Sequence, residues 1–451
     1  MQSSWRCLRN KLIWRRSFSS STRKWLIKDV RDLPDRIYPR YQETSNNDLL
    51  CVQWPNPPRN ILLIKKDRAP AVTESVIKFA KHIQSTYPSA SLIFEPETAL
   101  EVESSFSFPI YSTPSAHELS PSPFPQKVDL TSTLGGDGTI LHAASLFATT
   151  ESVPPILSFS MGTLGFLGEW KFQEYKRAFR EVYMSGSGTG LGSPVLETED
   201  SSFRPSAPSP NDPVDAQPGL TGWSSIRGKA MGPTRGARAL LRNRLRVGVF
   251  APDGSRVSPN PHPNIPASNE GNGVDGDVYA MNEVIIHRGR DPHLAIVDVF
   301  VGGRYLTEAV ADGMIISTPT GSTAYSLSSG GSIVHPLVSS LLLTPICPRS
   351  LSFRPLVLPA NTPITLRLSE KNRGREVEVS VDGVRRSEGV GVGMEVRVQG
   401  EEIRDLKGDW RGGVPSIVRG AVGGAENTGE DHWVGGLNGL LKFNYPFGED
   451  E

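Results

Sequence analysis

The chain has 451 residues, and its 48 basic and 48 acidic side chains leave no formal net charge. A chain of this length is longer than those that usually form a single hydrophobic core, so two domains are expected. A hydrophobic content of 37%, with 44 glycines and 37 prolines, indicates long irregular segments besides them. Three cysteines exclude a disulfide framework, and no apolar run reaches the roughly 20 residues of a membrane span.

The N-terminal segment is basic, with no acidic residue before Asp29. Its lysines, arginines and serines, together with apolar residues able to line one helix face, predict a mitochondrial transit peptide over 1–28. A solvated basic tail or a nucleic-acid-binding arm is the alternative. Without this segment the chain would be mildly acidic, so a nucleic-acid partner is not expected.

Strands and helices are predicted to alternate over 55–184. The predicted strands are 60–66, 91–95, 128–134 and 155–160, and the predicted helices are 72–87, 140–147 and 172–184. This order predicts a Rossmann-like α/β domain with a parallel sheet and a site at the carboxyl ends of its strands.

The composition changes after residue 184. Residues 185–236 are rich in Gly, Ser and Pro, which predicts a disordered low-complexity insertion. Short alternating strands over 237–420 predict an all-β sandwich, with a disordered loop at 252–276. Residues 421–451 are interpreted as a C-terminal segment that packs back on the first domain.

A glycine-rich turn joins a predicted strand to a predicted helix at Gly135-Gly136-Asp137-Gly138-Thr139. Glycine lets the backbone approach a ligand closely, and the N–H groups at a helix start favour phosphate. Asp137 would repel phosphate, which indicates a base or a magnesium partner. The alternative is an ordinary Asp-Gly turn with Thr139 as the N-cap.

Four ordered blocks of the sequence resemble the NAD kinase family. They are 134–139 (LGGDGT), 161–167 (MGTLGFL), 282–284 (NEV) and 312–328, the last of which the related lipid kinases lack. The tail at 437–447 is similar to that of the fungal mitochondrial NADH kinases. The resemblance implies the NAD kinase/diacylglycerol kinase-like fold, with the active site between an α/β domain and a β-sandwich.

The resemblance also implies a reaction. The γ-phosphoryl group of ATP would pass to the 2′-hydroxyl of the adenosine ribose of NAD or NADH in the mitochondrial matrix. Asp137 would be the catalytic base, and Gly135, Gly136, Gly138 and Thr139 would hold the phosphates of ATP. Mg²⁺ is expected on those phosphates rather than in a protein metal site, and a homo-oligomer is expected.

For the dinucleotide, the resemblance assigns Asn282 and Glu283 to the adenosine, although a polar pair at a strand edge is the alternative. Asp312 would lie near the nicotinamide riboside. The remaining implied NAD-binding residues are Thr323, Ala324, Tyr325 and Ser328, for which a plain polar turn is the alternative, and Cys347, for which a buried structural cysteine is equally compatible with the sequence.

Val310 and Val384 depart from the family pattern, which often has a basic and a polar residue there. Both changes make the expected nicotinamide end less polar, which favours NADH over NAD⁺ as a hypothesis. Two other functions remain open at this point. One is a lipid kinase of the same superfamily, and the other is a dinucleotide-binding protein without activity.

Overall fold

The computed structural model describes residues 26–44, 47–113, 122–162, 165–168, 170–186, 236–257, 277–404, 408, 410–419, 433, 437 and 441. Most of the predicted transit peptide, most of both predicted insertions and nearly all of the C-terminal segment lie outside the described residues.

The first part of the chain contains five helices and nine strands within the described ranges. The helices are α1 (Pro70–Thr86), α2 (Pro96–Val102), α3 (Phe124–Lys127), α4 (Asp137–Ser145) and α5 (Tyr175–Tyr183). The strands are β1 (Ile27–Asp29), β2 (Arg40–Thr44), β3 (Asn47–Gln53), β4 (Asn60–Lys65), β5 (Ser91–Phe94), β6 (Ile110–Ser112), β7 (Leu130–Leu134), β8 (Ile156–Ser160) and β9 (Trp170–Lys171).

The second part is dominated by strands. They are β10 (Arg238–Arg242), β11 (Leu245–Phe250), β12 (Arg256–Val257), β13 (Val278–Ala280), β14 (Glu283–His287), β15 (Ala295–Val301), β16 (Arg304–Ala311), β17 (Gly313–Ser317), β18 (Ser340–Ile346), β19 (Leu356–Pro359), β20 (Ile364–Leu368), β21 (Glu376–Val381), β22 (Val384–Arg385), β23 (Val390–Gly391), β24 (Glu395–Gly400) and β25 (Val414–Val418). One short helix, α6 (Tyr325–Ser328), follows a 3-10 turn at Thr320–Thr323.

The first sheet has the strand order β1-β6-β5-β4-β7-β8-β25-β10-β3-β2, with β9 beside β8. The strands from β1 to β25 in this order are parallel, and β10, β3 and β2 are antiparallel. Every residue of β4 and β7 is buried, because α1 and α5 pack in one core cluster of this domain and α4 packs in another. The α/β domain predicted from the sequence is thus confirmed.

The boundaries predicted for the domains need correction. β1, β2 and β3 precede residue 55 and still belong to the first sheet. Ile27 and Lys28, assigned above to the transit peptide, pair with Ile110 and Tyr111. β10 and β25, assigned to the sandwich, also join the first sheet. All five residues of β25 are buried, which suits a sheet covered on both faces better than a half-exposed sandwich strand.

Two antiparallel sheets form the sandwich. One has the order β12-β11-β24-β20-β15-β16 and the other β19-β18-β17-β14-β21-β22, with β13 and β23 attached at their sides. Alternate residues of β20 and β21 are buried, since each sheet turns one face toward the other. Their inner faces share one apolar core, as the sequence predicted.

The two parts of the molecule are fastened together near α4. The Tyr279 N–H donates to the carbonyl of Ala148 at 2.8 Å, and Met281 belongs to the same core cluster as Ile140 of α4. The buried Arg244 guanidinium donates to the Glu401 carboxylate at 2.8 Å and to the Thr150 carbonyl at 2.9 Å. These contacts hold the segment before β14 against the helix that follows the glycine turn.

Candidate active site

The glycine turn lies between β7 and α4, at the carboxyl end of the first sheet. A Cβ atom at Gly135 would lie 2.2 Å from Thr139 Oγ1, so the fold itself requires glycine there. Gly136 and Gly138 are exposed, and a Cβ atom at either would meet no atom of the described residues within 4 Å. The packing of the chain therefore gives no reason for glycine at these two positions, whereas close approach of a ligand would.

Helix α4 begins directly at Asp137, with Gly136 as its N-cap and no side-chain cap. The alternative that Thr139 caps the helix is therefore wrong. Thr139 is nearly buried, at 9% exposure, beside Gly135. The first N–H groups of α4 lack partners within the helix, and their partial positive charge suits an anion.

Asp137 is half-buried, and the loop after β8 holds its carboxylate. Oδ2 accepts the N–H of Phe166 at 2.9 Å, and Oδ1 accepts that of Leu167 at 3.1 Å. A Cβ atom at Gly165 would lie 2.1 Å from Oδ1. The close approach of this loop therefore depends on Gly165, and the two charge-assisted bonds fix the orientation of the carboxylate. The sequence predicted Asp137 but not these three residues that position it.

Asn282 and Glu283 stand at the start of β14, and both are only 7% exposed. Asn282 Oδ1 and Glu283 Oε2 are buried without a hydrogen-bond partner among the described residues. Buried polar atoms are almost always paired, so two adjacent atoms without a partner among the described residues favour a ligand that pairs with them. A polar pair at a strand edge, the alternative considered above, would instead be solvated.

Asp382 holds this pair in place. Its carboxylate accepts the three successive backbone N–H groups of 281–283, at 2.7, 2.7 and 3.0 Å. Asp382 and Gly383 have φ values of +47° and +80° and connect β21 to β22 as a two-residue hairpin turn. An Asp-Gly dipeptide between apolar runs signals such a turn in the sequence, but not its contact with a segment about a hundred residues earlier.

Burial raises the pKa of both carboxyl groups. Burial, and then the nearby Asp382, raise the pKa of Glu283 to about 7, and a hydrogen bond from the Tyr325 backbone opposes this rise. Burial also raises the pKa of Asp382, against the lowering effect of its three backbone hydrogen bonds. Glu283 is therefore divided between its neutral and charged forms near neutral pH.

The Ser-Thr-Gly run after β17 packs directly on this pair. Thr318 Oγ1 donates to the Met281 carbonyl at 2.6 Å, and the Thr318 N–H donates to the Asn282 carbonyl at 2.9 Å. A Cβ atom at Gly321 would lie 2.2 Å from that same carbonyl oxygen. Thr318 and Gly321, which the sequence did not single out, thus bring the following turn and α6 to Glu283.

Tyr325 extends the site onto the outer face of the sandwich. It lines an open groove of about 340 Å³ together with Ile285, His287 and Ser380, and its ring is 40% exposed. Of the other residues predicted in this segment, Thr323 and Ala324 are half-buried, whereas Ser328 is exposed at the end of α6.

Asp312 and Cys347 lie at the opposite end of β17 from Glu283. The pairing of Ser317 with Glu283 and of Gly313 with Ile346 separates the two ends by roughly 15 Å at the usual rise of a strand. Asp312 Oδ1 accepts Arg288 Nε at 2.6 Å. Cys347 is exposed with φ +45°, so the alternative of a buried structural cysteine is wrong.

Two further observations concern the described residues. No group of three or more His, Cys, Asp or Glu side chains in them is placed to hold a metal ion. None of their helices is long and apolar enough to cross a membrane.

Comparison with known proteins matches both parts of this architecture. Residues 71–186 match the family model of the ATP-NAD kinase N-terminal domain, and 281–399 match that of the C-terminal domain. The mitochondrial NADH kinase of Schizosaccharomyces pombe is 38% identical over 429 residues, covering 93% of this chain and 86% of that protein. The mitochondrial NADH kinase of Saccharomyces cerevisiae is 34% identical, with coverages of 93% and 89%.

A solved structure adds to these sequence relatives. The crystal structure of yeast NADH kinase complexed with NADH superposes with a TM-score of 0.67 at 32% identity. The match covers 94% of this chain and 99% of that one.

Proposed function

Because the chain belongs to the NAD kinase family and is an NAD(H) kinase, we propose that the glycine turn with Asp137 and the Asn282–Glu283 pair together form its active site. ATP supplies the γ-phosphoryl group, and the 2′-hydroxyl of the adenosine ribose of NADH or NAD accepts it. The products are NADPH or NADP. The lipid-kinase and non-catalytic alternatives lose their support, since both domain models and both curated relatives are NAD or NADH kinases.

The observation that carries the assignment of the acceptor side is the pair of unpartnered buried oxygens of Asn282 and Glu283. Asn282 Oδ1 accepts hydrogen bonds, as does Glu283 when its carboxyl group is charged, and a ribose or an adenine amino group supplies donors. Leaving them unsatisfied costs about 1–3 kcal/mol each. Binding of the adenosine half of the dinucleotide would recover that energy, and Asp382 keeps both residues oriented for it.

Asp137 is proposed to receive the proton of the ribose hydroxyl. A carboxylate is too weak a base to ionise a sugar alcohol fully, so proton transfer accompanies P–O bond formation. Alignment of the acceptor and neutralisation of the phosphate charge then supply most of the acceleration. The bonds from Phe166 and Leu167 support this role by keeping the carboxylate in one orientation.

The donor side is proposed to be the glycine turn. Gly136 and Gly138 leave open space in front of the helix start, and the exposed Lys66 lies next to Gly135. Both features suit the phosphates of ATP. Mg²⁺ is expected to enter with ATP, coordinated by its phosphates and by water.

NADH is proposed as the preferred acceptor. Val310 lies two residues before Asp312 and is apolar where the family pattern often has a basic residue. Val384 instead pairs with Val381 at the Glu283 end of the site, so the proposal rests on Val310. An apolar nicotinamide site favours the neutral dihydronicotinamide ring over the cationic one. The test is kcat/KM for both acceptors, and a strong preference for NAD⁺ would refute the proposal.

Both curated relatives named above are mitochondrial proteins, and the basic segment at 1–28 agrees with import into mitochondria. The protein is therefore assigned to the mitochondrion. We further propose that it lies in the mitochondrial matrix and forms a homo-oligomer.

The decisive experiment is Asp137→Asn, assayed for ATP-dependent formation of NADPH. We expect turnover to fall by about 10²–10⁴-fold while KM for NADH stays near the wild-type value, because the Asn282–Glu283 pair proposed to bind the adenosine is unchanged. Asp67→Asn is the control, since it removes an exposed acid at the same edge of the sheet. Unchanged turnover in Asp137→Asn would end the assignment.

A further inference from the structure

A second cavity lies at the amino ends of the parallel strands of the first sheet, whereas the glycine turn lies at their carboxyl ends. Its volume is about 290 Å³, and its lining includes Arg36, Tyr38, Ser152 and Trp410. Ser152 precedes β8, whereas the reaction site follows the carboxyl ends of β7 and β8. We propose that this cavity binds a small organic anion, namely a carboxylate or a phosphate attached to one planar ring.

Arg36 carries the proposal because its charge is buried and, among the described residues, has no carboxylate in direct contact. The residue is 6% exposed, and its Nη1 donates to the Ser152 carbonyl at 2.9 Å. Nε is buried without a partner, and no carboxylate among the described residues forms an ion pair with this guanidinium. Buried charges are normally paired, because an unpaired one costs several kcal/mol. Burial accordingly lowers the pKa of Arg36.

The charge of the buried Asp129 acts on Arg36 from a distance, but its carboxylate oxygens bind elsewhere. Both oxygens of Asp129 accept backbone N–H groups, from Ile37, Arg59 and Asn60 at 2.6, 2.6 and 2.9 Å. Glu151 also lines the cavity, but it is exposed at the rim, where water and salt weaken its charge without removing it. An anion seated against Arg36 would therefore supply a countercharge in direct contact with the guanidinium.

The walls of the cavity specify a ring on that anion. The Arg36 guanidinium lies 4.6 Å from the centroid of Tyr38, whose ring is 55% exposed, and Trp410 forms another part of the lining. Flat guanidinium and aromatic surfaces stack readily on a planar ring. The volume falls at the lower end of the roughly 300–1,000 Å³ of small-molecule sites, which excludes a dinucleotide.

The experiment is titration calorimetry on the full chain with phenyl phosphate, benzoate, inorganic phosphate and benzyl alcohol. We expect saturable binding of phenyl phosphate or benzoate, and none of the neutral benzyl alcohol. Which of the two anions binds more tightly identifies the phosphate or the carboxylate as the recognised group. Absence of saturable binding of either aromatic anion up to about 10 mM would overturn the proposal.

Three variants locate the binding in this cavity. Arg36→Gln can keep the bond to Ser152 without the charge, so we expect at least about tenfold weaker binding and an unchanged or higher melting temperature. Tyr38→Ala changes a half-exposed ring and should weaken binding of the aromatic anions but not of inorganic phosphate. Glu151→Gln removes the opposing charge and should tighten binding severalfold, a gain that misfolding cannot produce.

The glycine turn could also bind these anions. The proposal therefore depends on whether substitutions in this cavity change the measured affinity. Wild-type affinity in both Arg36→Gln and Glu151→Gln would place the binding elsewhere and refute the proposal. The steady-state phosphorylation of NADH should be the same in all three variants, since none of the changed side chains belongs to the reaction site.

Discussion

Replacement of Glu283 by glutamine tests the electrostatics of the acceptor site without any substrate. Its pKa rises from 4.5 to about 7 in the folded chain. Between these values the native state keeps a proton that the unfolded state has lost, so the stabilising contribution is complete below pH 4.5. It disappears as the pH rises through about 7. At about 1.4 kcal/mol per pKa unit, the loss amounts to roughly 3 kcal/mol.

The measurement is urea unfolding of the ligand-free protein between about pH 4.5 and pH 8. Glutamine cannot titrate, so the difference in unfolding free energy between wild type and Glu283→Gln should shift by roughly 3 kcal/mol over this range, in favour of the variant at high pH. Glu370→Gln, which changes an exposed carboxylate, should give a flat difference. A flat difference for Glu283→Gln as well would refute the argument that this carboxyl group is buried and protonated.

Three other substitutions test the remaining parts of the site. Gly165→Ala should reduce kcat about a hundredfold, because its methyl group would displace the Asp137 carboxylate. Gly168→Ala is the control, since the added carbon there meets only contacts of 3.5 Å or more. Equal kcat values in the two variants would contradict the proposed role of Gly165. Gly136→Ala should raise KM for ATP at an unchanged melting temperature, since the fold leaves room for the methyl group, and an unchanged KM would exclude this glycine from the phosphate site. Asp382→Asn should raise KM for NADH about tenfold by releasing the backbone of 281–283, and a wild-type KM would show that this support is dispensable.

Local patterns in the sequence were enough to predict the central parallel strands. β4 contains four consecutive apolar residues, which predict a strand covered on both faces, and β7 combines leucine and threonine around one serine, a composition typical of strands. The amphipathic spacing of 72–87 predicted α1 to within two residues at its start and one at its end. The glycine turn between β7 and α4 could be predicted because the spacing of apolar residues changes from that of a strand before it to that of a helix after it.

Long-range pairing could not be predicted in the same way. β10 and β25 look like sandwich strands in sequence because short apolar runs carry no information about their partners. The contact of Asp382 with 281–283 depends on the packing of β14 against β21. The helix start at Asp137, rather than near Ile140, depends on the β8 loop that holds the carboxylate, which no local propensity reveals.

The way in which the sandwich joins the first sheet limits how the two halves of the proposed active site can move. The chain leaves that sheet through β10 and returns through β25, and these strands pair with each other over five residues. The connection between the two domains is therefore a hydrogen-bonded two-stranded ribbon rather than two independent linkers. A two-stranded ribbon bends perpendicular to its plane far more easily than it twists or shears within that plane. Relative motion of the two domains should therefore be a hinge rotation about one axis.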